Sequence, residues 1–268
     1  MALTPEQLDE LAPRLWDAVA SGDRFPPFLA GISYDDGLGL QVRMLRRHLQ
    51  HGAVLAGWKV GLTSARARSQ FGGIDVRPFG YLDADHVLRS GATVEIGSVP
   101  RAAVETELCF TVAERLFGSD LSAEQVRAGL ATVAAGYEIN QRQRGSLKPD
   151  LAMGAAARMY NWGVVEGTGA SPAELHRAGF DLADAVVTMS WSGADAVPTP
   201  ALRERAGDHV DDHYLSIALL ARALADYDLA LEPGQKIITG AVGRFPAEPG
   251  QTWRSEFSGV GTVEVRFT

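Results

Sequence analysis

The stretch RAAVETELCFTV, residues 101 to 112, limits the fold of this chain more sharply than any other. Read as a strand, it turns Val104, Thr106, Leu108 and Phe110 to one face and Glu105, Glu107 and Cys109 to the other. Two carboxylates then stand side by side inside an apolar run. Like charges repel, and taking them out of water is costly, so that face requires solvent, protonation of one acid, or a cation between them.

The 268 residues suffice for one large domain or two small ones, and 46% apolar with 22% charged residues is ordinary globular composition. A formal charge of −8, with RMLRRH at 43 to 48 as the densest basic patch, argues against nucleic acid as a partner. The lone Cys109 cannot close an intramolecular disulfide or supply a four-cysteine zinc site, and its apolar setting suits an inert buried thiol. The first residues, MALTPEQLDELAPRLWDAVASG, carry acids where a signal peptide carries bases. No stretch approaches the roughly 18 unbroken apolar residues of a membrane span. The expectation is a soluble, cytoplasmic protein without a membrane partner.

Thr4, Pro5 and Gln7 have the pattern of a capped helix start, and Leu8, Leu11, Leu15 and Val19 continue at helical spacing to Gly22. Leu38, Val42, Leu45 and Leu49 mark a second helix closed by Gly52. Residues 1 to 53 are therefore expected to form a helical arm. From 54 to 268 short strands broken by glycine and proline dominate, with helices predicted over 122 to 136 and roughly 208 to 227. Strands and helices alternate without βαβ rhythm, which predicts an α+β fold with a large mixed or antiparallel sheet. The second region is expected to be one compact unit.

Glu138 of GYEINQ follows the predicted 122–136 helix, so strand, helix and returning strand would set a third carboxylate beside the first two. Three carboxylates suit a hard divalent cation such as Mg²⁺ or Mn²⁺, although the Glu-x-Glu pair taken alone favours a solvated sheet face. In GWKVGLTS, Lys59 lies among Trp58, Val60 and Leu62 between glycines. Burial there would lower its pKa toward the range of proton transfer, and the alternative is a lysine snorkelling from a strand end. His209 and His213 of GDHVDDH have the spacing of a metal pair but no glutamate base between them, which favours a polar helix start near a pocket or subunit contact. No G-x-S-x-G, G-x-G-x-x-G or P-loop pattern is present.

Taken in order, GWKVGLTS, VETELCF and YEI, with intervals of 46, 2 and 31 residues from Lys59 to Glu105, Glu107 and Glu138, closely resemble the 2-keto-4-pentenoate hydratase and 4-oxalocrotonate decarboxylase family of the fumarylacetoacetate hydrolase superfamily. SYDDGLGLQ, LEPGQKIITGAVG and GVGTVEVRF extend the resemblance over nearly the whole chain. It implies a mixed β-roll with peripheral helices, and a homo-oligomer. It also implies Mg²⁺ or Mn²⁺ on Glu105, Glu107 and Glu138, Lys59 as the proton-shuttling residue, and Thr239, Gly240 and Leu62 beside the substrate. The implied substrate is a small 2-oxo or 2-hydroxydienoic acid. The implied reaction is hydration, with decarboxylation as the alternative, and carbon–carbon hydrolysis or an idle binding homologue behind both.

Two departures from the family pattern stand out. Pro78 replaces an acid before the Phe-Gly of PFG, and AARMYNWG replaces an Asp-Asn-Ala-Ser stretch. Arg158 and Tyr160 of that segment become candidates for substrate binding. Arg142 and Arg144 are surface charges by default, or alternatively hold a second substrate carboxylate.

Overall fold

A computed structural model describes residues 2–74, 76–141, 145–193 and 197–268, so Arg142 and Arg144 lie outside the described residues. The arm is built on two reciprocal caps. Thr4 accepts from the Gln7 amide and the Gln7 side chain accepts from the Thr4 amide, starting α1 (Pro5–Ala20), with Pro5 pre-set for the first turn. Ser33 and Asp36 do the same for α2 (Tyr34–Gln50), and the buried Asp36 also accepts from the Leu3 amide at 2.9 Å. Short helices follow at α3 (Ala65–Ser69), α4 (Ala123–Ala128), α5 (Leu151–Ala156) and α6 (Pro172–Arg177), then the longer α7 (His213–Ala225). Leu8, Leu15, Phe25, Leu29, Leu40 and Met44 of the arm form their own core with Met153 and Ala156 of α5. Leu38, Val42 and Leu45, on the other side of α2, join the main core instead. Among the described residues no helix is long and apolar enough to cross a membrane.

Thirteen strands are described: β1 (Leu55–Val60), β2 (Phe79–Asp83), β3 (Val87–Arg89), β4 (Ala92–Val94), β5 (Ala103–Val112), β6 (Leu130–Asn140), β7 (Asn161–Ala170), β8 (Val186–Ser192), β9 (Thr199–Arg205), β10 (Lys236–Ile238), β11 (Gly243–Pro246), β12 (Thr252–Phe257) and β13 (Gly261–Phe267). The main sheet runs β2-β1-β10-β5-β6-β7-β3, with β11 also paired to β5. β1 with β10 and β3 with β7 are parallel and the remaining pairs of that sheet antiparallel. A second sheet, β4-β13-β12-β8-β9, lays β13 against β6 and β7. The Tyr137 hydroxyl donates to Ser255 at 2.9 Å, a buried bond between the two sheets. The result is the mixed α+β roll with peripheral helices that the resemblance implies.

Two expected elements differ from those observed. Over 122 to 136 the structure has the six-residue α4, ended by Gly129, after which the chain is already strand β6. The reason is burial: from Val133 to Asn140 every residue is buried on both faces between β5 and β7, which an amphipathic helix with one apolar stripe would not achieve. Gly136 is needed there, since a Cβ would lie 2.9 Å from that of Cys109. The other helix starts at His213, not near 208, because Asp212 accepts from the Leu215 amide at 3.0 Å and caps it.

Candidate metal and proton-transfer site

The β5–β6 register pairs Glu105 with Glu138, and Glu107 lies two residues along on the same face, opposite Gly136. Lys59 on β1 pairs with Ile238 of β10, which pairs with Cys109, so all four ionisable groups share one face of the sheet. Only the curl of that sheet lets β1 reach β6. Within it, a layer of Leu82, Cys109, Val164 and Ile238 closes the floor beneath the carboxylates. Below the floor, the buried Glu166 is held by Lys236 at 2.7 Å and Arg89 at 2.5 Å. Burial, with Glu166 nearby, pushes the Cys109 thiol up to about 12, so it is the inert thiol expected.

The Lys59 ammonium donates to both oxygens of Glu138 at 2.6 Å and to the Met159 carbonyl at 3.1 Å. Glu105, Glu107 and Glu138 each offer an oxygen within 4.8 Å of the others. Desolvation, then the Glu138 charge, raises Glu105 to about 7 and holds Glu107 well above the usual carboxylate range. For Lys59, burial acts downward as expected, but Glu138, Glu105 and Glu107 outweigh it and its pKa is raised. The sequence expectation of a lowered lysine is thereby corrected: three carboxylates are close enough to overcome desolvation. Positive charge added among them would remove that lift.

An all-oxygen set of three carboxylates against one ammonium fits a hard divalent cation, and among the described residues it is the cluster with that composition. The carboxylates are also oriented from behind. Gly240 donates its amide to Glu107 at 2.8 Å, Asn140 its side-chain amide to Glu105 at 2.9 Å, and Asn161 its own to Glu138 at 2.9 Å. Arg244 approaches Glu105 at 3.4 Å. Asn140 was within reach of the sequence, because period-two alternation from Glu138 puts it on the same face. Asn161 stood in the AARMYNWG segment that departs from the family pattern, where it was a candidate to replace the missing Asp-Asn function, whereas Arg244 and the Met159 carbonyl gave no signal.

A cavity of about 520 Å³ opens over this cluster, lined by Lys59, Leu62, Glu105, Glu107 and Gly240, with Arg66 and Arg244 at its wall. Leu62 is held at φ +54 and Gly240 at φ +115, where a Cβ would lie 2.2 Å from Thr63 Oγ1. Thr239 is fully buried behind Gly240, with its hydroxyl 2.7 Å from His213 Nδ1. Burial pushes His213 down to about 4. His209 pairs instead with Glu204 at 2.8 Å, so the two histidines do not converge. Another cavity of about 510 Å³, beside α6 and the start of α7, lacks the carboxylate cluster.

The structure does not bring Arg158 and Tyr160 into the cavity over Lys59. Arg158, Met159 and Tyr160 sit at φ +56, +49 and +65, a left-handed turn that delivers the Met159 carbonyl to Lys59 and swings the neighbouring side chains away. Arg158 lies over the Tyr81 ring, 4.7 Å from its centroid, and Tyr160 packs on Phe25.

No family profile matches the chain. It is 27% identical over 282 residues to a 2-keto-4-pentenoate hydratase of Paraburkholderia xenovorans (strain LB400), covering 99% of this chain and 96% of that one. It is 25% identical over 265 residues to a 4-oxalocrotonate decarboxylase of a Pseudomonas species, covering 98% of each. The solved 4-oxalocrotonate decarboxylase from Pseudomonas putida G7, complexed with magnesium and adipate, superposes with a TM-score of 0.85 at 23% identity over 100% of this chain and 99% of that one. That likeness establishes a fumarylacetoacetate hydrolase-like fold.

Proposed function

We propose that this chain, a divergent relative of the 2-keto-4-pentenoate hydratases and 4-oxalocrotonate decarboxylases, is a divalent-metal-dependent lyase that adds water to a 2-hydroxydienoate or 2-oxo-enoate. The observation that carries this reading is the Lys59 ammonium set among three carboxylates at the base of a cavity able to admit a small acid. Glu105, Glu107 and Glu138 would hold the ion, Mg²⁺ or Mn²⁺ by the hardness of the donors. Such an ion supplies Lewis-acid stabilisation of negative charge developing on a 2-oxo or 2-enol oxygen. Magnesium in the solved decarboxylase supports the assignment.

Lys59 then has one task, to hold and move a proton over the substrate chain. In 2-hydroxypenta-2,4-dienoate, the enol proton leaves its oxygen and a proton is delivered to C5, giving the 2-oxo-3-enoate. Addition of hydroxide at C4 and a proton at C3 completes the hydration. Leu62 and Gly240 would shape the cavity wall beside the substrate. Thr239, held by His213, would act through the position of Gly240 and not by direct contact. Pro78 leaves the hydration step without the acid that the family pattern carries before Phe-Gly.

Decarboxylation is the second reading, favoured by Arg66 and Arg244 on the cavity wall, which suit a second substrate carboxylate. Here the electron pair of the C5–C6 bond of 2-oxo-hex-3-enedioate passes into the conjugated chain as CO₂ leaves. The deciding experiment follows the ultraviolet chromophore of each substrate with Mg²⁺ or EDTA and identifies products by mass spectrometry. An EDTA-sensitive gain of water establishes the hydratase, and an EDTA-sensitive loss of CO₂ the decarboxylase. Failure to turn over either substrate with Mg²⁺ bound would overturn both readings.

A further inference from the structure

Between the helical arm and the roll lies a second cavity, of about 200 Å³, made by residues far apart in sequence. Its polar lining is Arg24, His48, Tyr81, Asp83, His86 and Arg158, and its remaining walls are apolar side chains of α1, α2 and α5. The charge balance is unusual for a partly buried space. Two guanidinium groups and two imidazoles face one carboxylate, Asp83, and Asp83 caps the turn that follows it, accepting from the Asp85 amide at 3.4 Å.

The two arginines are not neutralised by each other's surroundings. Arg24 is half-buried and, among the described residues, has no hydrogen-bond or ion-pair partner, and desolvation together with the Arg158 charge lowers its pKa. Arg158 spends one nitrogen on the Asn161 carbonyl at 3.2 Å and lies over Tyr81, and among the described residues no carboxylate is bonded to it. Burial, with the Arg158 charge nearby, lowers both His48 and His86. His86 Nδ1 is buried with no hydrogen-bond partner among the described residues. Uncompensated desolvated cations are costly, and a guanidinium fork matches the paired oxygens of a carboxylate or phosphate.

We infer that the cavity between the arm and the roll is a binding site for a small oxyanion, a carboxylate or a phosphate, clasped between Arg24 and Arg158. The inference is independent of the proposed reaction, because none of these residues lines the cavity over Lys59. The anion would tie the arm, through Arg24, to the turn that carries the Met159 carbonyl.

Isothermal titration and thermal denaturation of the full chain in EDTA, at constant ionic strength, test this with inorganic phosphate and malonate as separate probes. Expected is saturable binding of one anion per chain with a rise in melting temperature. Arg24→Gln should weaken it at least tenfold, the loss expected on removing a charge-assisted bidentate contact. Without anion, Arg24→Gln should be at least as stable as the original, since it removes a cation with no partner among the described residues. Arg24→Met, which keeps the apolar stem, is the companion should Gln disturb packing. Response to phosphate alone or malonate alone assigns the headgroup class within the proposal. Absence of saturable binding of both at 10 mM-scale concentrations, or binding unchanged in both Arg24 variants, overturns it.

Discussion

Replacing Lys59 with Met keeps the stem that fills the curl and removes the ammonium that bonds both oxygens of Glu138 at 2.6 Å. The side chains of the pair are 10% and 0% exposed, so water cannot take over the role. Stranding one partner of such a buried pair costs about 3–5 kcal/mol. In a chain of this size each kcal/mol shifts the melting temperature by about 2–4 °C, so a fall of roughly 10 °C is expected in EDTA. The cluster has one escape, which is to bind a proton where the lysine charge was. Glu105 at about 7 and the still higher Glu107 make that easy in acid and hard in base. The deficit should therefore be small at pH 6 and grow above pH 7, at up to about 1.4 kcal/mol per pH unit for each proton involved. Mg²⁺ should recover most of it by supplying positive charge to the same oxygens. Circular dichroism melts of both proteins at pH 6 and 8.5, with EDTA and with Mg²⁺, measure all of this. A Lys59→Met variant as stable as the original in EDTA at pH 8.5 would refute the electrostatic account of the site.

Glu107→Gln keeps an acceptor for the Gly240 amide but removes a charge from the donor set, so calorimetry should detect no Mg²⁺ binding while the circular dichroism spectrum is retained. Unchanged Mg²⁺ affinity would sink the ligand assignment. Gly57→Ala puts a Cβ 1.9 Å from the Lys236 carbonyl at φ +147, on the strand that aims Lys59. It should cost about 3 kcal/mol or more by urea titration, and a neutral result would contradict the close approach of β1 to β10. His213, depressed to about 4, is neutral in the fold where an ordinary histidine titrates near 6.5. Above pH 6.5 both states are neutral. As pH falls from 6.5 to 4 the unfolded chain binds a proton that the fold does not, and stability drops by about 3 kcal/mol. Wild type should lose stability relative to His213→Gln across that window, and a constant difference between them would reject the burial argument.

The carboxylate cluster was legible because strand periodicity is local: alternation puts Glu105 and Glu107 on one face, and the same rule from Glu138 reaches Asn140. Both helices of the arm were legible for a similar reason: the Thr4–Gln7 cap of α1 joins residues three apart, and α2 showed in the helical spacing of Leu38, Val42, Leu45 and Leu49, although its Ser33–Asp36 cap was not read. The length of α4 was not, because Ala- and Gly-rich residues after Gly129 suit a helix until both faces are buried by β5 and β7, and burial on both sides is a property of neighbours. The direction of the Lys59 shift depends on distances across the curl, where Coulomb terms from three strands compete with desolvation. Arg158 shows the same division most plainly. From the sequence it stands near the substrate, but three left-handed residues turn its side chain to Tyr81 and its neighbour's carbonyl to Lys59. Sequence alone determined which groups exist and which share a strand face, because those follow from covalent order and backbone period. Which cations meet which acids, and which are left without one, was decided only by the tertiary structure, because charge interactions act through space between segments that the chain order keeps far apart.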